Sequence, residues 1–205
     1  MEQSVDPRSR QRAKVFCIGL NKTATSSLNE ALGALGFRTL HWGGPKVRDA
    51  IDRAIDEDRP LLDFVEGDYD VFSDIQVLSD NFDLLDHFYP GSKFILNTRD
   101  FDQWLDSRRR HVERNIADKE LGRYDGQFLE VDLRGWRRQF HKHHRRVLHF
   151  FASRPDDLLV IDVTAGDGYD LLCPFLGVAV PDTPFPWCHR DGLVTSGVRT
   201  VRRAR

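Results

Sequence analysis

Val15-Phe16-Cys17-Ile18-Gly19-Leu20-Asn21-Lys22-Thr23-Ala24-Thr25-Ser26-Ser27-Leu28 is the stretch on which the fold turns. Its first six residues form a short apolar run, as a strand buried on both faces of a parallel sheet requires. The polar residues 21–25 end the run at once. From Ser26 onward Leu28, Ala31, Leu32 and Leu35 return at helical spacing, and Gly36 supplies a stop. Strand, tight polar loop and helix follow one another without a linker.

Outward from this unit the same alternation repeats. Residues 37–42 read as a second strand and 46–58 as a helix. Val71-Phe72-Ser73 reads as a short strand ending at Asp74, and 80–88 as a helix before the Pro90-Gly91 turn. Residues 93–98 form a strand by pattern, followed by Arg99 and a helix over 101–111. Residues 112–133 are weakly patterned and read as a mobile segment over a site. A helix over 134–153, a strand over 158–163, a helix over 169–176 and an extended remainder with Pro181, Pro184 and Pro186 complete the chain. Residues 1–13 read as a flexible lead-in, 14–187 as one α/β domain and 188–205 as a basic tail carrying Arg190, Arg199, Arg202, Arg203 and Arg205. Strands alternating with helices predict right-handed crossovers and a single-domain three-layer sandwich around a parallel central sheet. Ligands of such folds bind at the carboxyl ends of strands. Three of those ends are distinctive: after Leu20, after Ser73 and after Thr98.

Composition excludes several classes. Of 205 residues 40% are apolar, with 14 Phe and 4 Trp, enough for a real core. A net charge of −2 gives no global basic field, so no nucleic-acid partner is expected. Cys17, Cys173 and Cys188 are scattered, which argues against a disulfide framework or a zinc site. His141, His143, His144 and His149 lie on one predicted helix without a companion carboxylate at ligand spacing, so no metal is expected. No apolar run nears the ~20 residues that cross a bilayer, and the polar start lacks a secretory signal. A cytoplasmic location is the expectation.

The loop after the first strand has anion-binding chemistry. N–H groups at a helix N-terminus have no internal partner and point outward. Thr23, Ala24, Thr25, Ser26 and Ser27 are small enough for close backbone approach, their hydroxyls add donors, and Lys22 adds a cation. The alternative is a polar turn whose Ser and Thr residues cap a helix. The loop is not a Walker A motif, because Ala24 and Thr25 stand where Gly and Lys are required. Farther on, Arg99 follows a strand and Ser107 lies eight residues later, about two helical turns. The arginine fork suits phosphate and the serine donates a hydroxyl. Taken alone, the pair reads better as an arginine in a surface ion pair with Asp100 or Asp102 and an ordinary helical serine.

Together these segments resemble the sulfotransferase superfamily, whose fold is similar to that of P-loop NTPases. There a Lys/Thr/Ser-rich loop after the first strand grips the 5′-phosphosulfate of 3′-phosphoadenosine 5′-phosphosulfate (PAPS). An Arg followed eight residues later by a Ser grips the 3′-phosphate. Lys22 to Ser27 match the first element, and Arg99 with Ser107 match the second in type and spacing. More loosely, Trp136, Phe140 and His144, residues 158–162, and Cys173-Pro174-Phe175-Leu176-Gly177 look like a branch of small sulfotransferase-like proteins. The resemblance spans roughly residues 14–187. It implies transfer of a sulfuryl group from PAPS to a hydroxyl or amine of a small-molecule acceptor, leaving adenosine 3′,5′-bisphosphate.

In-line transfer needs a base and a cation on the leaving phosphate. Lys22 is the candidate cation. Asp74 is the first candidate base, standing near where the cytosolic branch carries a histidine. Asp74 also reads as a helix cap or a partner of Lys22. His41, ending the second strand, is the alternative base or an acceptor contact. Phe37, Trp42, Phe64, Phe72 and Trp104 are candidates for an apolar acceptor pocket or plain core. Two rivals stand beside this reading: a nucleotide-dependent phosphotransferase, for which Asp162 ending the last strand would hold Mg²⁺, and a non-catalytic nucleotide-binding scaffold.

Overall fold

The computed structural model describes residues 13–188 and the backbone of 194–195. The expected lead-in and most of the basic tail lie outside these residues. Five parallel strands form the sheet: β1 (Val15–Cys17), β2 (Thr39–His41), β3 (Val71–Ser73), β4 (Lys93–Asn97) and β5 (Leu158–Ile161), in the order β2-β3-β1-β4-β5. Helices α1 (Thr25–Ala34), α2 (Gly44–Asp56), α3 (Gln76–Asp80), α4 (Phe82–Phe88), α5 (Phe101–Glu120), α6 (Leu133–Phe150) and α7 (Tyr169–Leu176) cover it. Trp187–Cys188 (β6) pairs antiparallel with Val194–Thr195 (β7).

The period of two in β1 sorts its side chains between two cores. Phe16 and Ile18 pack with Phe72, Phe94, Leu96, Ile51, Phe82, Val147 and Phe151 on one face. Val15 and Cys17 pack with Val71, Ile95, Leu28, Leu32, Leu172 and Cys173 on the other. α1 and α7 therefore cover one face of the sheet, and α2, α4 and α6 the other. This is the three-layer α/β architecture expected from the sequence. A third cluster, Leu20, Trp104, Val112, Trp136 and Phe140, welds α5 and α6 to the end of the loop after β1. Burial pushes the Cys17 thiol up to about 12, so it is an inert core residue.

Two expectations are corrected. The helix after β4 does not end near His111 but continues to Glu120, so only about the second half of the supposed mobile segment is loop. The extension buries little beyond Val112 and Asn115; Glu113 pairs with Arg109 one turn back, and Asn115 Nδ2 donates to Phe128 O. Such a helix carries no apolar stripe to read. The helix expected over 80–88 is α4, starting after Asn81, and a separate short helix, α3, precedes it.

The order of strands places β1 centrally, with the chain moving to β2 and β3 on one side and to β4 and β5 on the other. The switch falls between β1 and β4. The loops leaving those two strands open onto one crevice, where doubly wound sheets bind ligands.

Candidate active site

The loop between β1 and α1 is held in place from every side. Gly19 N–H donates to Asn97 Oδ1 at 3.0 Å, and Asn97 Nδ2 donates to Thr23 Oγ1 at 2.6 Å. The Thr23 hydroxyl in turn donates to Leu20 O at 2.6 Å. Ser79 donates to Gly19 O, His143 Nε2–H to Ile18 O, and Trp104 Nε1–H to Asn21 O. Lys22 and Ala24 take left-handed φ values of 69° and 60°. Ala24 is the N-cap of α1 without a side-chain cap. The first-turn N–H groups of α1 thus lack side-chain capping from Ala24, and left-handed Lys22 and Ala24 bend the loop ahead of them.

Arg108 stands behind the loop. It is buried, donates through Nη1 to Asn21 Oδ1 at 3.1 Å, and lies 5.0–5.2 Å from the rings of Trp104, Phe128 and Trp136. Burial pulls its ordinary value down to about 10. A cation so placed fixes Asn21 and adds positive potential beneath the loop.

Asp100 caps α5 by accepting from Gln103 N–H, which sets the start of that helix directly after β4. Arg99 points back across the crevice and its Nη1 donates to Lys22 O at 3.5 Å. Ser107 sits two turns along α5 on the same side. Lys22, Ala24, Thr25, Ser26, Ser27, Arg99 and Ser107 all line one open cavity of about 1510 Å³. The two predicted anion grips share a cleft, and Arg99 is not turned away to Asp100 or Asp102.

His41 and Asp74 line the same cavity from the ends of β2 and β3. His41 Nε2 lies 3.8 Å from Asp74 Oδ2. Burial raises the Asp74 carboxyl above the ordinary carboxylate value, opposed by His41 when that ring is protonated, by the Lys22 charge and by a hydrogen bond from Thr25. On its other side His41 Nδ1 lies 2.9 Å from Ser73 Oγ, and Ser73 donates to Asn29 Oδ1 at 3.0 Å.

Some predicted details change. Thr23 is fully buried, and its hydroxyl is turned inward to Leu20 and Asn97, so it builds the loop and does not donate into the cavity. Ser27 accepts from Cys188 N–H at 2.9 Å, tying β6 to the loop. Of the five aromatic candidates, Trp42 alone lines the cavity, 63% exposed; Phe72 and Trp104 are core, Phe37 packs against the core, and Phe64 carries Arg53 stacked on its ring. His144 is stacked on Phe140 and bonds Thr98, not the cavity. Asn97, Arg108 and Asn29 are the residues that sequence reading missed. A polar Asn ending the apolar run 94–96 was the one available signal.

Among the described residues no cluster of His, Cys, Asp or Glu is arranged to hold a metal, and no helix is long and apolar enough to cross a membrane. Asp162 follows β5 and caps the next turn through Oδ1, which accepts from Thr164 Oγ1 and Ala165 N–H.

No curated protein sequence matches the chain significantly. Among solved structures, the crystal structure of a sulfotransferase from Alicyclobacillus acidocaldarius superposes with a TM-score of 0.51 at 19% identity, covering 83% of this chain and 84% of that chain. That likeness speaks for the fold. The sulfotransferase domain family matches residues 14–122 and 120–192, which take in the loop after β1, the Asp74 strand end and the Arg99–Ser107 helix. The chain belongs to the sulfotransferase family.

Proposed function

We propose that the protein transfers a sulfuryl group from PAPS to a hydroxyl or amine of a small-molecule acceptor. The observation that carries this reading is the shared cavity of two anion grips, the Lys22 loop and the Arg99–Ser107 pair, bridged at 3.5 Å by Arg99 Nη1 and Lys22 O. One grip suits the 5′-phosphosulfate and the other the 3′-phosphate of a single nucleotide. The residues fit that ligand chemically: donors and cations gather where its charges would lie, and His41, Trp42 and Asp74 border the space left for an acceptor.

In this reading the bond from acceptor to sulfur forms as the bond from sulfur to the 5′-phosphate oxygen breaks. Asp74 takes the acceptor's proton, and Lys22 faces the charge that grows on the leaving oxygen. The residues supply position and electrostatics, as in phosphoryl transfer. A phosphotransferase reading would want a carboxylate for Mg²⁺ at the end of β5 facing the cleft, and Asp162 caps the next turn through Oδ1 and does not line the cavity. The test is a labelled-sulfate transfer screen over phenol, alcohol, sugar and amine acceptors, run beside thermal stabilisation by adenosine 3′,5′-bisphosphate and by ATP with Mg²⁺. Sulfated product and a larger shift with the bisphosphate are expected.

Asp74→Asn separates activity from stability. A base that has lost its carboxylate is expected to lower kcat by about 10²–10⁴-fold. Stability moves the other way. The folded carboxyl is raised, so between the unfolded value and the raised one the native state holds more protons. This group therefore loses stability for the fold as pH rises through that window. The Asn variant lacks that loss, so at neutral pH its melting temperature is expected to equal or exceed that of the parent. Thermal melts and steady-state rates over a pH series check both halves.

A further inference from the structure

His41 is aligned with Ser73 across the parallel pair β2–β3, so the two side chains leave the sheet together at its carboxyl end. Ser73 is fully buried and its single hydroxyl proton is committed to Asn29 Oδ1 on α1, at 3.0 Å. Its oxygen can then only accept from His41, whose Nδ1 lies 2.9 Å away. The proton of a neutral imidazole is thereby placed on Nδ1. Nε2, the nitrogen 3.8 Å from Asp74 Oδ2, is left with a lone pair.

We propose that Asn29 is a positioning residue for the transfer reaction: acting through Ser73, it holds neutral His41 in the Nδ1–H form and so presents a proton acceptor to Asp74. This rests on the reading that Asp74 takes the acceptor's proton. The opposite tautomer would aim an N–H at Asp74, stabilise the carboxylate and weaken it as a base. The Nε2 lone pair does the reverse, because it favours the protonated carboxyl. When the acceptor's O–H or N–H bond breaks, the proton arrives on Asp74 Oδ2 facing, at 3.8 Å, an imidazole nitrogen whose lone pair attracts it. No other reactant is needed.

The tautomer is readable without turnover. In the full chain labelled with ¹⁵N-histidine, long-range ¹H–¹⁵N correlations above the imidazole titration range report which ring nitrogen carries hydrogen, with His41 assigned by the signal lost in His41→Gln. The Nδ1–H pattern is expected. Asn29→Ala frees the Ser73 proton to turn toward Nδ1, so the Nε2–H pattern should grow and kcat should fall roughly 10–100-fold, part of what a general base supplies. Asn29→Asp keeps an acceptor for Ser73 and is expected to restore the Nδ1–H pattern and most of the lost rate. A parent enzyme in the Nε2–H form overturns the proposal. So does an Asn29→Ala variant with an unchanged tautomer beside an Asp74→Asn variant that has lost turnover, and that result leaves the base reading standing. If Asp74→Asn keeps its kcat, the base reading falls and takes the positioning role with it, whatever the tautomer.

Discussion

Lys22→Ala is expected to lower kcat by about 10²–10³-fold, the size of effect seen when one preorganised donor is removed from a developing oxyanion. The loop geometry explains why so much depends on one side chain. Lys22 sits in the left-handed region, its carbonyl oxygen is taken by Arg99, and the residues on either side are pinned through Asn21 to Trp104 and Arg108 and through Thr23 to Asn97. Its ammonium is thus carried by a turn that has little freedom left to lose on binding. The pH profile should change as well. Lys22 is one of the charges holding the Asp74 carboxyl down against burial. Without it the carboxyl rises further, so the acid limb of the rate profile is expected to move to higher pH. Steady-state kinetics across pH check both effects. A Lys22→Ala variant with an unchanged kcat would remove the leaving-group role.

Gly19→Ala is expected to lose more than about 3 kcal/mol of stability, at the upper end of overpacking effects. A Cβ at this position would lie 1.9 Å from the backbone oxygen of Asn97 and 2.5 Å from its side-chain amide. The first of these atoms cannot swing aside, because it belongs to the chain at the end of β4, the immediate neighbour of β1. Room comes only from parting the two central strands or bending the loop, and either breaks the Gly19–Asn97–Thr23 network. For a chain of this size the melting temperature should drop by roughly 10 °C. Asn97→Ala provides the control. It deletes two hydrogen bonds but leaves the backbone oxygen in place, so combining it with Gly19→Ala should not rescue stability. Denaturant titration of the two single variants and the double variant separates steric from polar contributions. Full rescue by Asn97→Ala would show that the side chain alone had been in the way.

The parts of the fold that were legible in the sequence are those whose cause is local. β1, its loop and α1 announce themselves by an apolar run, small polar residues and a return of helical spacing. Arg99 and Ser107 share a side of the cleft because eight residues make about two turns. α7 was bounded correctly because Gly177 takes a left-handed cap just after the last apolar residue. The far end of α5 was missed because it buries only Val112 and Asn115 and so draws no apolar stripe. The supporting residues were missed for another reason. Asn97, Asn29 and Arg108 reach partners 78, 44 and 87 positions away in sequence, and no spacing rule connects them. Thr23 illustrates the converse. Its place in a hydroxyl-rich loop suggested a ligand donor, yet the fold uses it to close the turn from inside.

One nucleotide held at both ends is the claim on which the account rests, and calorimetric titration of two ligands into two proteins tests it most directly. Adenosine 3′,5′-bisphosphate and adenosine 5′-monophosphate differ only in the 3′-phosphate that Arg99 and Ser107 are assigned to grip. The bisphosphate should bind the parent protein at least about tenfold tighter, since a charge-assisted hydrogen bond contributes roughly 1.5–3 kcal/mol. Arg99→Ala should erase most of that preference while leaving the affinity for the monophosphate nearly unchanged. Equal binding of the two nucleotides by the parent, or a preference that survives intact in Arg99→Ala, would contradict it.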